Sequence, residues 1–217
     1  MKDTTTPCLP PQAPEYAVAA AAEWRLLGLL FERPRPGWKA EIESVAGEVQ
    51  DPALRAAAAA TAATTESEYL DVLGPGGVVS PREVAYRGRE DPGAILADVS
   101  SFYTAFAFHP RAEDPLDHVS VACGFAGYLR LKEAFAVATG DPESARTCAE
   151  AMARFIAEHL RYVAEPLCAK IELLSPVPHL LLAAHAFLQR TGPAPAPYAD
   201  SVDADGDIPG CDGCRLP

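Results

Sequence analysis

Asp-Pro recurs along this chain, at Asp51-Pro52, Asp91-Pro92, Asp114-Pro115 and Asp141-Pro142, each pair leading into a helix-forming run. The pairing narrows the fold sharply, because both residues suit the first turn of an α-helix. The Asp carboxylate accepts hydrogen bonds from backbone N–H groups that a helix start leaves open, and proline at the first helical position has no N–H to leave open. Between these starts, apolar residues recur at helical spacing. Ala19, Ala22, Leu26, Leu27 and Leu30 share one face of the first segment, with Glu23 and Arg25 off it. No two strand-like runs flank a hairpin turn, and no internal repeat is present. The expectation is an all-α bundle of about eight to ten helices with no sheet.

The predicted helices cover Glu15–Phe31, Trp38–Val49, Asp51-Pro52 onward through Ala56–Ala63, Thr65–Leu73, Pro92–Phe108, Pro115–Thr139, Pro142–Val163, Pro166–Leu174 and Val177–Arg190. A loop from Gly74 to about Glu90 is long for a compact domain, and such loops more often carry function than merely connect. Pro7, Pro10, Pro11 and Pro14 mark residues 1–13 as an arm. Residues 14–191 read as the helical domain, and 192–217 as a Pro-rich acidic tail containing Cys211-Asp212-Gly213-Cys214.

With 217 residues, nearly half of them hydrophobic, the chain can bury a substantial core. Its net charge of −12 argues against nucleic acid as a partner, because phosphate binding needs a concentrated basic face. The same charge favours encounter with a cationic peptide, and it equally serves simple solubility. No apolar run approaches the ~20 residues that span a bilayer, so no stable membrane insertion is expected. The stretch from Met1 to Pro7 has no basic region feeding an apolar one, and the expected location is the cytoplasm. Cys8, Cys123, Cys148 and Cys168 show no paired spacing and read as reduced thiols.

Two segments carry the candidate chemistry. In Asp114-Pro115-Leu116-Asp117-His118, the first, second and fourth residues suit a helix start, with Asp117 in the first turn at the positive end of the dipole; His118 has no such role. Asp117 and His118 admit three readings: a structural pair, a peptide-recognition pair, or a general base with its carboxylate in a helical hydrolase. The last lacks a nucleophile elbow, and helical neighbours point about 100° apart. Ser80, Pro81, Glu83 and Tyr86 either cap a short helical turn or form a rim, where Glu83 offers a carboxylate to arginine and Tyr86 an aromatic face. His109, His159, His179 and His185 are dispersed without metal-ligand spacing. Cys211 and Cys214 supply half a tetrahedral metal site and read as an unspecialised tail, a local disulfide, or a metal contact completed in a dimer or with a client; no cofactor is expected. Gly74-Pro75-Gly76-Gly77 lacks the lysine and strand of a phosphate cradle.

Pro115-x-Asp117-His118 at the head of a long apolar helix resembles the signature of the TorD/DmsD/NarJ family of molybdoenzyme maturation chaperones. Leu73–Gly77 with Ser80-Pro81-x-Glu83-x-x-Tyr86 is similar to that family's Gly-rich loop and Ser-Pro-x-Glu-x-x-Tyr segment, and Phe102, Tyr103, Phe106, Phe125 and Leu129 fall at its usual positions. The likeness runs from about Glu15 to Leu188. The chain departs from the pattern at Ala122 and Ala126, where Glu and Met are usual, and at Tyr162 and Pro166, offset from a usual Trp and Pro. The resemblance implies a non-enzymatic chaperone, monomer or homodimer. Its partner would be the catalytic subunit of a molybdopterin oxidoreductase, bound through an N-terminal signal peptide of the twin-arginine type or as the apo form before export. An assembly subunit for a client without an export signal is the alternative. The implied client-binding residues are Ser80, Pro81, Glu83, Tyr86, Pro115, Asp117, His118 and Phe125.

Overall fold

The computed structural model describes residues 14–110, 114–175 and 177–195. Its helices are α1 (Pro14–Leu30), α2 (Trp38–Glu48), α3 (Pro52–Ala60), α4 (Glu66–Leu73), α5 (Pro92–Ala105), α6 (Val119–Ala138), α7 (Pro142–Phe155), α8 (Arg161–Leu174) and α9 (Pro178–Thr191). A π-helical turn, Ile156–Leu160, joins α7 to α8 in one rod. The described residues contain no β-sheet, so the fold is the all-α bundle expected.

Local chemistry explains most of the boundaries. Asp51 caps α3 by accepting from Ala53 and Leu54 N–H at 2.8 and 3.0 Å, and Asp91 and Asp141 cap α5 and α7 in the same manner. Thr65 and Glu68 close a reciprocal capping box at the head of α4. Helix α6 ends at Gly140, whose φ of 72° suits glycine, with Asp141 N–H returning to the Ala136 carbonyl at 2.8 Å. Helix α5 ends in the same motif with Ala107 at φ 54°, and Phe108 N–H reaches back to Tyr103 at 2.8 Å. That tight stop is why α5 ends before the expected Phe108.

Two expected boundaries are overturned. Helix α6 begins at Val119 and not at Pro115, and its N-cap is His118. Pro166 does not start a helix; it lies inside α8. A proline there removes one backbone hydrogen bond, a cost set against the burial of its neighbours Leu167, Cys168 and Ile171.

The central contact is α1 against α6, with α7 on the other flank of α6 and α9 packed on α3 and α8. Close approach depends on glycine. A Cβ on Gly28 would stand 3.0 Å from the Ser120 carbonyl, and one on Gly127 would stand 3.1 Å from that of Ala21. Around this seam lies an apolar core with two aromatic groups. Trp24 and Phe31 meet Phe187 edge-on, while Phe102, Tyr103, Phe125 and Phe155 cluster under α5, with Phe125 and Phe155 centroids 4.8 Å apart. Cys123, Cys148 and Cys168 are buried free thiols. Burial pushes the Cys123 thiol far above its ordinary range, which leaves it an inert core residue. No helix of the described residues is long and apolar enough to cross a membrane. The expected N-terminal arm, Cys8, most of the tail, and Cys211 with Cys214 lie outside the described residues.

Candidate functional site

The two segments singled out by sequence meet in space. Residues Pro81–Glu83 and Asp117–Val119 run antiparallel for one bridge, Arg82 opposite His118, with Glu83 N–H donating to Asp117 O at 3.1 Å and Val119 N–H to Pro81 O at 2.9 Å. Backbone groups that would have opened a helix at Pro115 are spent on this bridge. Asp117 is therefore not a first-turn residue of α6. Its carboxylate, fully buried, accepts from the Arg82 guanidinium at 2.9 and 3.0 Å and from Val84 N–H at 3.2 Å. In this way it holds the start of the 3-10 turn Glu83–Tyr86 from another part of the chain.

His118 also acts through the backbone. Its Nδ1 accepts from Ser120 N–H at 3.2 Å and lies 2.7 Å from Ser120 Oγ, which in turn is 3.2 Å from Asp114 Oδ2. Burial pushes the His118 imidazole below its ordinary pKa, with Asp114 and Asp117 pulling the other way and Arg82 adding to the fall. It is neutral at pH 7, and an Nδ1 that accepts a backbone proton fixes the Nε2–H tautomer. Ser120, His118 and Asp114 are not a hydrolytic triad. There the carboxylate and the hydroxyl use opposite ring nitrogens, whereas here both sit on Nδ1.

Three expected site residues are placed differently from the sequence reading. Glu83 is 3% exposed and is not a carboxylate on the rim. Both of its oxygens lie 3.1 Å from His159 Nδ1, and Arg87 approaches one of them at 3.6 Å. Tyr86 is also buried; its hydroxyl donates to the Ser80 carbonyl, and Lys170 sits over its ring at 5.2 Å. Phe125 is 0% exposed, at the centre of the aromatic cluster. A carboxylate, a phenol and a phenyl ring so enclosed lie behind the site and do not line its groove.

Of the other five, Asp117 is spent on the bridge, and four border open space, Pro81 and His118 only by a small exposed edge. Ser80, Pro81, Pro115 and His118 line a groove of about 970 Å³ between the α1–α2 connection, α4 and the Gly74–Arg82 loop. Pro34, Pro36, Tyr69, Leu70, Leu73 and Val79 give it an apolar side, and Glu32, Glu66 and Asp114 give it carboxylates. Arg33 pairs with Glu66, and Arg35 with Glu32 at 3.3 Å. Asp114 is different: among the described residues no lysine or arginine pairs with it, and its partners are Ser120 Oγ and, at 3.8 Å, His118. Beyond Glu32 and Arg35 a smaller cavity of about 610 Å³ continues past Arg25, Phe108, His109 and Gly124.

Sequence reasoning had no means to find Arg82 as the partner of Asp117, 35 positions away, or His159 as the partner of Glu83, 76 positions away. The one available signal was that Glu83 and Arg87 stand at i, i+4, a spacing that brings two side chains together.

No curated protein and no solved structure matches this chain. A family model does: the one described as nitrate reductase delta subunit matches residues 36–169, which include the Gly-rich loop, the bridge, the head of α6 and His159. That span exceeds half of the chain, and the protein belongs to the nitrate reductase delta subunit family, the TorD/DmsD/NarJ family of molybdoenzyme chaperones.

Proposed function

We propose that the groove beside the Arg82–His118 bridge binds the N-terminal segment of a molybdopterin oxidoreductase catalytic subunit, and that a twin-arginine signal is the segment it fits. Family membership makes the chain a maturation chaperone of the molybdoenzyme class; the groove supplies the finer reading. Such a signal joins two guanidinium groups to a moderately apolar stretch that forms a helix. A binder needs an apolar trough for the stretch and at least one carboxylate free to take an arginine. The observation that carries the reading is Asp114, a groove carboxylate without a cationic partner among the described residues, on a groove that also carries the apolar Pro34, Pro36, Tyr69, Leu70, Leu73 and Val79. Holding the signal there would hide it until the cofactor is in place and the client folded.

The test is calorimetric titration of a twin-arginine signal peptide from a molybdopterin oxidoreductase catalytic subunit into the wild-type protein and Asp114→Asn. One lost charge-assisted hydrogen bond is worth about 1.5–3 kcal/mol, so affinity should fall about ten- to hundredfold while the melting curve holds. Replacing the peptide's arginine pair by glutamine should cost as much in wild type and little more in Asp114→Asn, as expected of groups that touch. Equal affinity of wild type and variant for both peptides would overturn the reading and favour a client without an export signal.

A further inference from the structure

His159 is the buried group that neither the groove nor the bridge explains. It lies on the π-helical turn between α7 and α8 and is 1% exposed. Its Nδ1 is held by both oxygens of Glu83 at 3.1 Å. A carboxylate in that place accepts a hydrogen bond from Nδ1–H and leaves the lone pair of the other nitrogen free, the arrangement that prepares an imidazole to ligate a metal. The other nitrogen, Nε2, is buried and has no hydrogen-bond partner. Buried polar atoms are nearly always paired, so this orphan calls for a ligand. Phe102, edge-on at 5.4 Å, and Phe155, at 5.1 Å, fix the ring plane.

Two carboxylates face the orphan nitrogen. Asp98 Oδ2 is 3.4 Å from Nε2, and an oxygen of Glu158 completes a set of three ligand atoms lying within 4.8 Å of one another. Asp98 stands one turn before Phe102 on α5, so the carboxylate and the ring that orients His159 share a helix face. Glu158 and His159 are neighbours in sequence, which an α-helix would splay apart. They converge on the wider π turn, a distortion frequently found at functional sites.

We infer that His159 Nε2, Asp98 and Glu158 form a site for a divalent transition-metal ion, with Glu83 orienting the imidazole and Zn²⁺ as the best-fitting ion. One imidazole and two carboxylates suit a borderline ion better than Mg²⁺ or Ca²⁺, which take oxygen ligands. Bonds of about 2.0–2.2 Å in a tetrahedron put neighbouring ligand atoms about 3.4 Å apart, the separation of Nε2 and Asp98 Oδ2. Two carboxylates also balance the ion's charge. Glu158 must release Arg154, which it holds at 3.0 and 3.1 Å; that is an exposed i, i+4 pair and opens readily. Water or a client group would fill the fourth position. An ion here would tie α5 to the α7–α8 rod and, through Glu83, brace the turn that forms the back of the groove. Cys168, Glu172 and His185 also converge, but His185 Nε2 there already meets Glu172 at 2.5 Å, so that cluster has no orphan to satisfy.

The experiment uses the full chain carrying Cys211→Ser and Cys214→Ser, stripped with chelator, and titrates Zn²⁺ by calorimetry with thermal melts alongside. One ion per chain is expected, with affinity reduced at least about tenfold in Asp98→Asn and in Glu158→Gln. Both side chains are substantially exposed, 55% and 42%, so the metal-free melting temperature should not move in either variant. Zn²⁺ should raise the melting temperature of the parent, and at the same concentration raise that of Asp98→Asn by clearly less. His185→Ala should bind as the parent does. The inference is overturned if the parent binds no Zn²⁺, if Asp98→Asn and Glu158→Gln bind as tightly as the parent, or if His185→Ala is the variant that loses the ion.

Discussion

The α1–α6 seam and the bridge between Pro81–Glu83 and Asp117–Val119 are adjacent, and they are stabilised by different physics. The seam is apolar and holds by proximity: Gly28 and Gly127 let two helix backbones approach, and Leu26, Leu27, Leu29 and Leu30 are fully buried beside them. The bridge is polar and holds by pairing. Within it a carboxylate, an imidazole and a hydroxyl are all buried and all hydrogen-bonded. Apolar packing tolerates small readjustments, whereas a buried polar network loses stability when any one member is left without a partner. The groove borders the bridge, whose Pro81, Arg82 and His118 line it, so that side of the groove is set by hydrogen bonds.

The sharpest way to break this contrast is Asp117→Ala. It strips Arg82 of its buried partner and leaves Val84 N–H unsatisfied, and should cost about 3 kcal/mol, the lower end for a broken buried pair because Arg82 is 37% exposed and can turn to water. Chemical denaturation would measure it; a loss below about 1 kcal/mol would mean the bridge is held by its backbone bonds alone. On the seam, Gly127→Val puts a Cβ 3.1 Å from the Ala21 carbonyl and 3.2 Å from Arg25 N, with two methyl groups to house besides, and should cost about 2 kcal/mol through overpacking. A neutral or stabilising result, from the better helix propensity of valine over glycine, would show that the seam can open at no cost.

The smallest effect separates the regions by pH. The folded-state pKa of His118 is depressed, so the unfolded chain binds the extra proton first. The stability it contributes is present above the ordinary histidine value of about 6.5 and is lost as pH falls from there toward the depressed value. Asparagine keeps a capping acceptor and cannot titrate, so His118→Asn should flatten the fall of stability with acid, while Gly127→Val should leave that slope as it is. Urea melts at pH 7 and pH 5 test both. His179 sets the background slope in every variant, since its burial against Trp38 holds it down to about 4. An unchanged slope in His118→Asn would remove the proton linkage from the bridge.

Much of the fold was legible because it is written in local chemistry. Asp51, Asp91 and Asp141 cap the helices their prolines begin, and Leu26, Leu27 and Leu30 of the expected α1 stripe face the core, whereas Ala19 is exposed and Ala22 half-buried because Ala17, Ala21 and Trp24 take the core side of the first turns. The same rule failed at Asp114-Pro115, although the local pattern is identical. There the backbone N–H of Val119 goes to Pro81 and that of Glu83 to Asp117, so a contact across more than thirty residues outcompeted the helix start. Of the eight expected site residues, Ser80, Pro81, Pro115 and His118 line the groove, Asp117 joins its two walls, and Glu83, Tyr86 and Phe125 are buried behind it. Periodicity can place a residue on a face of its own helix, but it cannot say which neighbouring segment covers that face.

By itself, then, the sequence determined the all-α architecture, most helix starts and the two segments that matter, because caps, prolines and helical stripes act within a few residues. Only the tertiary structure decided which polar groups are spent on the fold and which remain available. Asp117 is consumed by Arg82, Glu83 by His159 and Arg87, and Asp114 is left facing the groove. Burial and pairing depend on what the chain brings alongside from far away in sequence, and a carboxylate's availability is fixed only when its distant partners are in place.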